Sequence, residues 1–265
     1  MTSDDGYLLD NRRTPAGHRL TALGELFDAS TFRHLDALGV GPGWRCWEVG
    51  AGGRSVPVGL AERVGPDGSV IATDVDTSWL GTSDGVLEVR RHDVGSDAPP
   101  ATDLDLVHAR LVLTHVPARD RALAAMVASL RPGGWLVVED ADPGLQPLLC
   151  PEDRGPAEQL ANRLRRGFRA LMADRDADLA LGRTLPRRLR EHGLVDVVAD
   201  AFFPIAGPAC TALEIATVEQ IRPRLVESGV ASPDDVDRHL ENLRAGRLPD
   251  LATSPMVTAR GRRVA

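Results

Sequence analysis

Residues 46–57 read CWEVGAGGRSVP. An apolar run closes on Glu48 and Val49, a glycine-rich turn follows, and SVPVGLAERVG (55–65) opens a helical pattern. The stretch predicts a strand, a tight turn and a helix in succession. Gly50 and Gly52 let the backbone turn sharply and approach a ligand, and the N–H groups that open the helix favour a negative group beside them. Glu48 resists this simple reading. A carboxylate at the end of a buried strand costs on the order of several kcal/mol unless it has a partner. Either it caps backbone amides or pairs with an Arg, or it faces a ligand that carries positive charge.

The same alternation continues outward. SVIATD (69–74), LEVRR (87–91), DLDLVHA (103–109) and WLVVED (135–140) read as further strands, with RDRALAAMVASL (119–130) as a helix that RPGG ends. Upstream, HRLTALGELFDA (18–29) spaces Leu20, Leu23 and Phe27 for one helical face, and a second helix, TFRHLDALG, follows Ser30 as its N-cap. Downstream, a helix near 154–175 carries Arg163, Arg165, Arg166 and Arg169 as a solvated face; TLPRRLREHG and LVDVVADAFFP give a helix and a sixth strand. Two more helices, 211–229 and 232–246, then precede a last strand in SPMVTARGRRV. The expectation is an α/β domain spanning 1–265: a seven-stranded, mostly parallel sheet with helices on both faces, N-terminal helices, and a helical insertion between the last two strands.

Composition narrows the partners. A formal net charge of -7 offers no basic field for nucleic acid or an anionic membrane, so a small molecule is the expected partner. Cys46, Cys150 and Cys210 lack any CxxC or Cys/His spacing, which argues against a disulfide framework or zinc and for a reducing cytoplasm. The start, MTSDDGYLLDN, has no basic-apolar leader pattern, and no stretch approaches the roughly 18 apolar residues of a membrane span.

In open α/β sheets ligands bind beyond the carboxyl ends of the strands, usually at the first strand-to-helix turn. The dinucleotide pattern GxGxxG would need glycine at position 55, where the chain has Ser55. A pyrophosphate would also be repelled by Glu48. Asp74 ends the second strand, where a carboxylate can accept both hydroxyls of a ribose, or merely form a turn. Val75 can pack on an adenine face or in the core, and Asp93 can accept the adenine amino protons or make an Asx-turn. Cationic, ribose and adenine contacts together describe S-adenosylmethionine.

EVGAGGRS, VIATDVD, RHDV, DLDLVHARLVLTHV and LRPGGWLVVED, in this order, resemble the motif series of class I SAM-dependent methyltransferases, strongly over residues 39–141. DGYLLDN and SPMVTARGR look like the small-molecule methyltransferases of actinobacteria. The resemblance implies a Rossmann-like fold, with an N-terminal helical lid (1–38), a SAM-binding core (39–141) and substrate-side helices with the last strands (142–265). It implies that Glu48, Gly50, Ala51 and Gly52 surround the methionine portion, Asp74 the ribose, Val75 the adenine, and Asp93 with Val94 its amino group. Arg110 would lie beside the sulfonium, and Tyr7 would contact the cofactor from the lid. Arg54 departs from the pattern, where a third glycine is frequent, and its side chain is expected to swing outward.

Methyl transfer from a sulfonium needs alignment more than acid–base chemistry, and a base only where the acceptor loses a proton. His115, past the fourth strand, is the candidate base or else a packing residue, and His108, inside it, is read as a hydrogen-bonded core histidine. Glu139 and Asp140 could orient an acceptor. The expected acceptor is a small organic molecule, which the resemblance implies is a secondary metabolite, with S-adenosyl-L-homocysteine as the other product. The alternatives are a SAM-binding protein without methyl transfer and a dinucleotide-dependent oxidoreductase.

Overall fold

Trp47 shows how the strand pattern becomes a sheet. Its ring is fully buried, and its indole N–H donates to Thr73 Oγ1 at 2.9 Å, which in turn donates to the Glu48 carbonyl at 3.2 Å. A buried indole keeps a hydrogen-bond partner while its rings leave water. In the computed structural model, which describes residues 8, 9 and 14–264, the elements run α1 (Thr14–Ala37), β1 (Arg45–Val49), α2 (Ser55–Val64), β2 (Ser69–Asp74), β3 (Leu87–Arg91) and β4 (Leu104–Arg110). A 3-10 turn at Leu113–His115, α3 (Arg119–Ser129), β5 (Leu130–Ala141), α4 (Pro156–Ala173) and α5 (Leu181–Glu191) follow. The chain ends with β6 (Leu194–Phe202), α6 (Pro208–Glu227), α7 (Pro233–Arg244) and β7 (Met256–Arg263).

The sheet order is β3-β2-β1-β4-β5-β7-β6. β1 to β5 pair in parallel, and β7 runs antiparallel between β5 and β6. Strand alternation sorts the core into two layers. Trp47, Val49, Val107, Ala109, Leu136 and Val138 meet α3 and α5 on one face, while Cys46, Val70, Ala72, Leu106 and Val137 meet Leu35 of α1 and the buried side of α2 on the other. On that second face Gly59 lets α2 approach the ring of Phe32, against which an added Cβ would collide.

The chain divides into two compact units. One comprises Phe27–Ala141, Ala180–Phe202 and the residues from Met256, and contains the whole sheet. The other comprises the residues up to Leu26, Asp142–Leu179 and Phe203–Pro255, and its regular elements among the described residues are helices. Leu160, Leu164, Ile221, Leu225, Val236 and Leu240 supply the core of the helical unit from α4, α6 and α7. α7 starts with a capping box: Ser232 Oγ accepts from the Asp235 N–H at 3.1 Å, and the Asp235 carboxylate accepts from the Ser232 N–H at 3.3 Å.

Three expectations change. The two N-terminal helices are one, α1. Ser30 caps nothing; its hydroxyl is buried without a partner, and the apolar spacing carries on through Phe27 and Leu35, both buried. Burial of that face outweighs a capping preference of about 1 kcal/mol. β5 starts at Leu130, so LRPGG belongs to a strand, with Gly133 at φ +78°. Of the four arginines on α4, Arg163 and Arg166 are solvated, but Arg165 is mostly buried and donates to Glu214 at 3.1 Å, with His239 on the carboxylate's other oxygen at 3.3 Å. Helical periodicity marks an arginine's face and not the carboxylate that three-dimensional packing brings to it.

Candidate cofactor site

Strand order reverses between β1 and β4, one of which has its neighbours running toward β3 and the other toward β6. A crevice at such a point, beyond the carboxyl ends of the strands, is where open α/β sheets hold ligands. The turn after β1 lies there. Gly50 has φ +59° and Gly52 φ +62°, and a Cβ at Gly50 would stand 2.5 Å from Val112 Cγ2. Glycine is therefore required at position 50 twice over, by handedness and by space. The Ala51 N–H donates to the Thr73 carbonyl at 2.9 Å, which ties the turn to β2.

Asp74, at the end of β2, ties it again. Oδ2 accepts from the Gly52 N–H and Oδ1 from the Asp76 N–H, each at 2.9 Å. Burial raises its pKa, and the amide bonds oppose that rise. Two carboxylate oxygens offer about four acceptor positions, so capacity for ribose hydroxyls remains. Val75, next in line, is 58% exposed, which leaves its side chain available to an adenine face and removes the core-packing alternative.

The structure gives Glu48 a positive partner from within the chain. Glu48 is buried, and its Oε2 lies 2.5 Å from Nδ1 of the fully buried His108. His108 Nε2 lies 3.3 Å from Glu139 Oε2, which also accepts from Thr31 Oγ1 at 2.5 Å; Glu139 Oε1 accepts from Thr258 Oγ1 at 2.7 Å. Burial alone would lower the His108 pKa, but the two carboxylates outweigh it and raise it to about 9. Burial acts on Glu139 in the opposite sense and is likewise outweighed, by His108 and the two hydroxyls, which bring it to about 2. Glu48 moves up, because its burial exceeds what His108 returns.

Other expected positions are placed as follows. Arg110 donates to Asp28 Oδ1 at 2.8 Å and Thr31 Oγ1 at 3.1 Å, so its guanidinium is engaged by α1. Arg54 is half-buried and donates to the Leu80 carbonyl at 2.5 Å and to that of Thr82 at 3.4 Å. Asp93 makes the Asx-turn: Oδ1 accepts from the Gly95 N–H at 2.8 Å and Oδ2 from Ser96 Oγ at 3.0 Å. Val94 points into the core, which leaves its backbone for a ligand. Glu139 and Asp140 are not free to orient an acceptor. Asp140 accepts from Thr114 Oγ1 at 2.7 Å and Thr114 N–H at 3.1 Å, and burial raises its pKa to about 6. These bonds fix the 3-10 turn that carries the half-buried His115. Tyr7 lies outside the described residues. Among the described residues no cluster of His, Cys, Asp or Glu could hold a metal ion, and no helix is long and apolar enough to cross a membrane.

A family model described as "Methyltransferase domain" matches residues 12–197, more than half of the chain. The chain belongs to this methyltransferase family. Among curated members, methyltransferase str3 of Strobilurus tenacellus is 28% identical over 160 residues, covering 57% of this chain and 53% of its own. The ubiquinone/menaquinone biosynthesis C-methyltransferase UbiE of Vibrio parahaemolyticus is 30% identical over 124 residues, covering 43% and 48%. This methyltransferase-family chain thus spans about half the length of the curated relatives it matches.

Two solved structures share the fold. Phosphoethanolamine N-methyltransferase 2 of Haemonchus contortus, in complex with S-adenosyl-L-methionine, superposes with a TM-score of 0.58 at 13% identity, covering 99% of this chain and 59% of that one. A methyltransferase of Anabaena variabilis, described as putative and from an antibiotic biosynthesis pathway, gives 0.57 at 17% identity, covering 86% and 94%. The class I, Rossmann-like architecture expected from the sequence is therefore the one found. S-adenosyl-L-methionine fits its donor set: a glycine cradle that a Cβ would fill, a carboxylate with spare acceptor capacity on the neighbouring strand, an exposed apolar side chain beside it, and a buried carboxylate before the turn.

Proposed function

We propose that the protein transfers a methyl group from S-adenosyl-L-methionine to a small organic acceptor. The observation that carries this reading is the joining of Gly52 to Asp74 across the β1 and β2 strand ends, which presets a backbone cradle and a ribose acceptor as one rigid piece. When bound, the cofactor would supply a sulfonium methyl, whose carbon would bond to an acceptor lone pair as its bond to sulfur breaks and that electron pair leaves on the sulfur of S-adenosyl-L-homocysteine.

The chain's own residues hold and align. Asp74 accepts the ribose hydroxyls, Val75 lies against the adenine, Asp93 and the Val94 backbone meet its amino edge, and Gly50, Ala51 and Gly52 admit the methionine portion, whose ammonium faces Glu48. Arg110, held by Asp28, bounds the sulfonium end. His115, on a turn fixed by Asp140, takes the proton from a hydroxyl or phenol acceptor. The Anabaena variabilis likeness and the resemblance to small-molecule methyltransferases support a secondary metabolite as the acceptor.

The test is incubation of the protein with cofactor carrying a deuterated methyl group and a panel of phenols, amines and polyketide-like hydroxy compounds. Mass spectrometry then looks for the label. Labelled product that disappears in the Asp74→Ala variant supports the reading. Binding of the cofactor with no labelled product across acceptors that sterically related methyltransferases accept would overturn it.

A further inference from the structure

His108 lies between Glu48 on β1 and Glu139 on β5, and both of its ring nitrogens face carboxylate oxygens. A neutral imidazole has one N–H and one acceptor nitrogen, so with both carboxylates ionised one of these contacts would set a lone pair against a carboxylate; a neutral ring satisfies both contacts only with the proton on Glu48, whose O–H would then donate to Nδ1. Only the imidazolium donates to both. All three side chains are essentially sealed from solvent, with relative exposures of 0%, 2% and 0% for His108, Glu48 and Glu139. With the proton of the His108–Glu48 pair on either partner, the cluster carries a net excess of one negative charge.

That excess is not shared evenly. Glu139 has hydroxyl donors from Thr31 and Thr258 in addition to His108. For Glu48 the partner is His108. Arg110, the nearest fixed cation on β4, acts on Glu48 only through space, because its guanidinium is turned to Asp28 and Thr31 of α1. Glu48, which adjoins the glycine turn, is therefore the carboxylate with fewer donors. A buried carboxylate in this state is one cation short.

We propose that His108 is a positioning residue for cofactor binding: as a doubly donating imidazolium clamped by Glu139, it keeps the Glu48 carboxylate ionised and fixed in orientation, so that a ligand ammonium completes the charge balance. Without His108, burial drives Glu48 and Glu139 to share a proton, since two adjacent carboxylates in a dry site do not both ionise. Thr31 and Thr258 hold Glu139, and so determine which carboxylate is the fixed anchor and which is offered to the ligand. The inference rests on the proposed S-adenosyl-L-methionine reading for the identity of the ammonium, and on this cluster's geometry for the charge state.

Two measurements test it. In wild-type protein with nitrogen-15 histidine, NMR at pH 7 will show both His108 ring nitrogens protonated; a neutral ring overturns the proposal without any variant. Calorimetry then compares S-adenosyl-L-homocysteine with 5′-methylthioadenosine, which lacks the amino-acid portion. His108→Gln will weaken the first about 10- to 100-fold and leave the second within about twofold. Glu139→Gln, which keeps the shape but removes the surplus charge, will act in the same selective direction. Equal losses for both ligands mean that His108 is merely structural, and no loss for either means that Glu48 needs no clamp; each overturns the proposal. Wild-type protein that binds neither ligand overturns the cofactor reading instead, while the NMR result still decides the charge state.

Discussion

Replacing Gly50 with alanine is expected to damage the site by two separable routes. The residue has φ +59°, a region that costs an L side chain about 1 kcal/mol or more. The new Cβ would also stand 2.5 Å from Val112 Cγ2, and relieving such an overlap costs about 1–3 kcal/mol. Gly50→Ala should therefore lower stability by about 2–4 kcal/mol if the turn holds its place. If the turn yields instead, the cost shows up as lost cofactor affinity. Val112→Ala alone removes two methyl groups from a half-buried site and should cost about 1 kcal/mol. The double variant frees the overlap but not the backbone strain, so it should be better than additive by about 1–3 kcal/mol. Urea denaturation of the four proteins, with and without S-adenosyl-L-homocysteine, reads both routes. Additivity to within about 0.5 kcal/mol would refute the claim that Val112 is what excludes a side chain at position 50.

Asp74→Ala removes the acceptor for the Gly52 N–H as well as for the ribose, so cofactor affinity should fall at least 100-fold by calorimetry, and Asp74→Asn should fall less. Leu185 is fully buried in α5, between Leu181 and Leu189, and Leu185→Ala should cost about 2–5 kcal/mol in denaturant with little change in cofactor affinity after allowance for folding. The His108 pKa is raised from 6.5 to about 9, so the stability it contributes is complete below about pH 6.5 and is lost as pH rises through 9. Glu139 acts in the opposite sense, from 4.5 to about 2, and its contribution is lost as pH falls through that interval. Denaturation at a series of pH values should show both slopes in the wild type and lose the alkaline one in His108→Gln.

The strands and the glycine turn were legible because they depend on local pattern. WEVG sets a buried strand against a turn, SVIATD ends at Asp74 as expected, and the alternation of short apolar runs with helices implied the parallel core. The two helices inserted before β7 were legible for the same reason. What the pattern could not convey is who faces whom across the sheet. Glu48 called for a positive charge, and sequence reasoning looked to a ligand or an arginine; the partner found, His108, is 60 residues away and becomes a neighbour only through β1–β4 pairing. Asp28 and Thr31 were missed altogether. No motif marks them, and their roles come from α1 passing within hydrogen-bond reach of Arg110 and Glu139. Ser30 misled because capping preference is local, whereas the burial of Phe27 and Leu35 that overrides it is not.

Isothermal titration of the purified protein with S-adenosyl-L-homocysteine bears most directly on the account, because cradle, ribose acceptor and charged anchor are all engaged in that single event. One saturable site per chain, with the heat abolished by Asp74→Ala, is the predicted result. A folded protein that gives no heat up to millimolar ligand would contradict it.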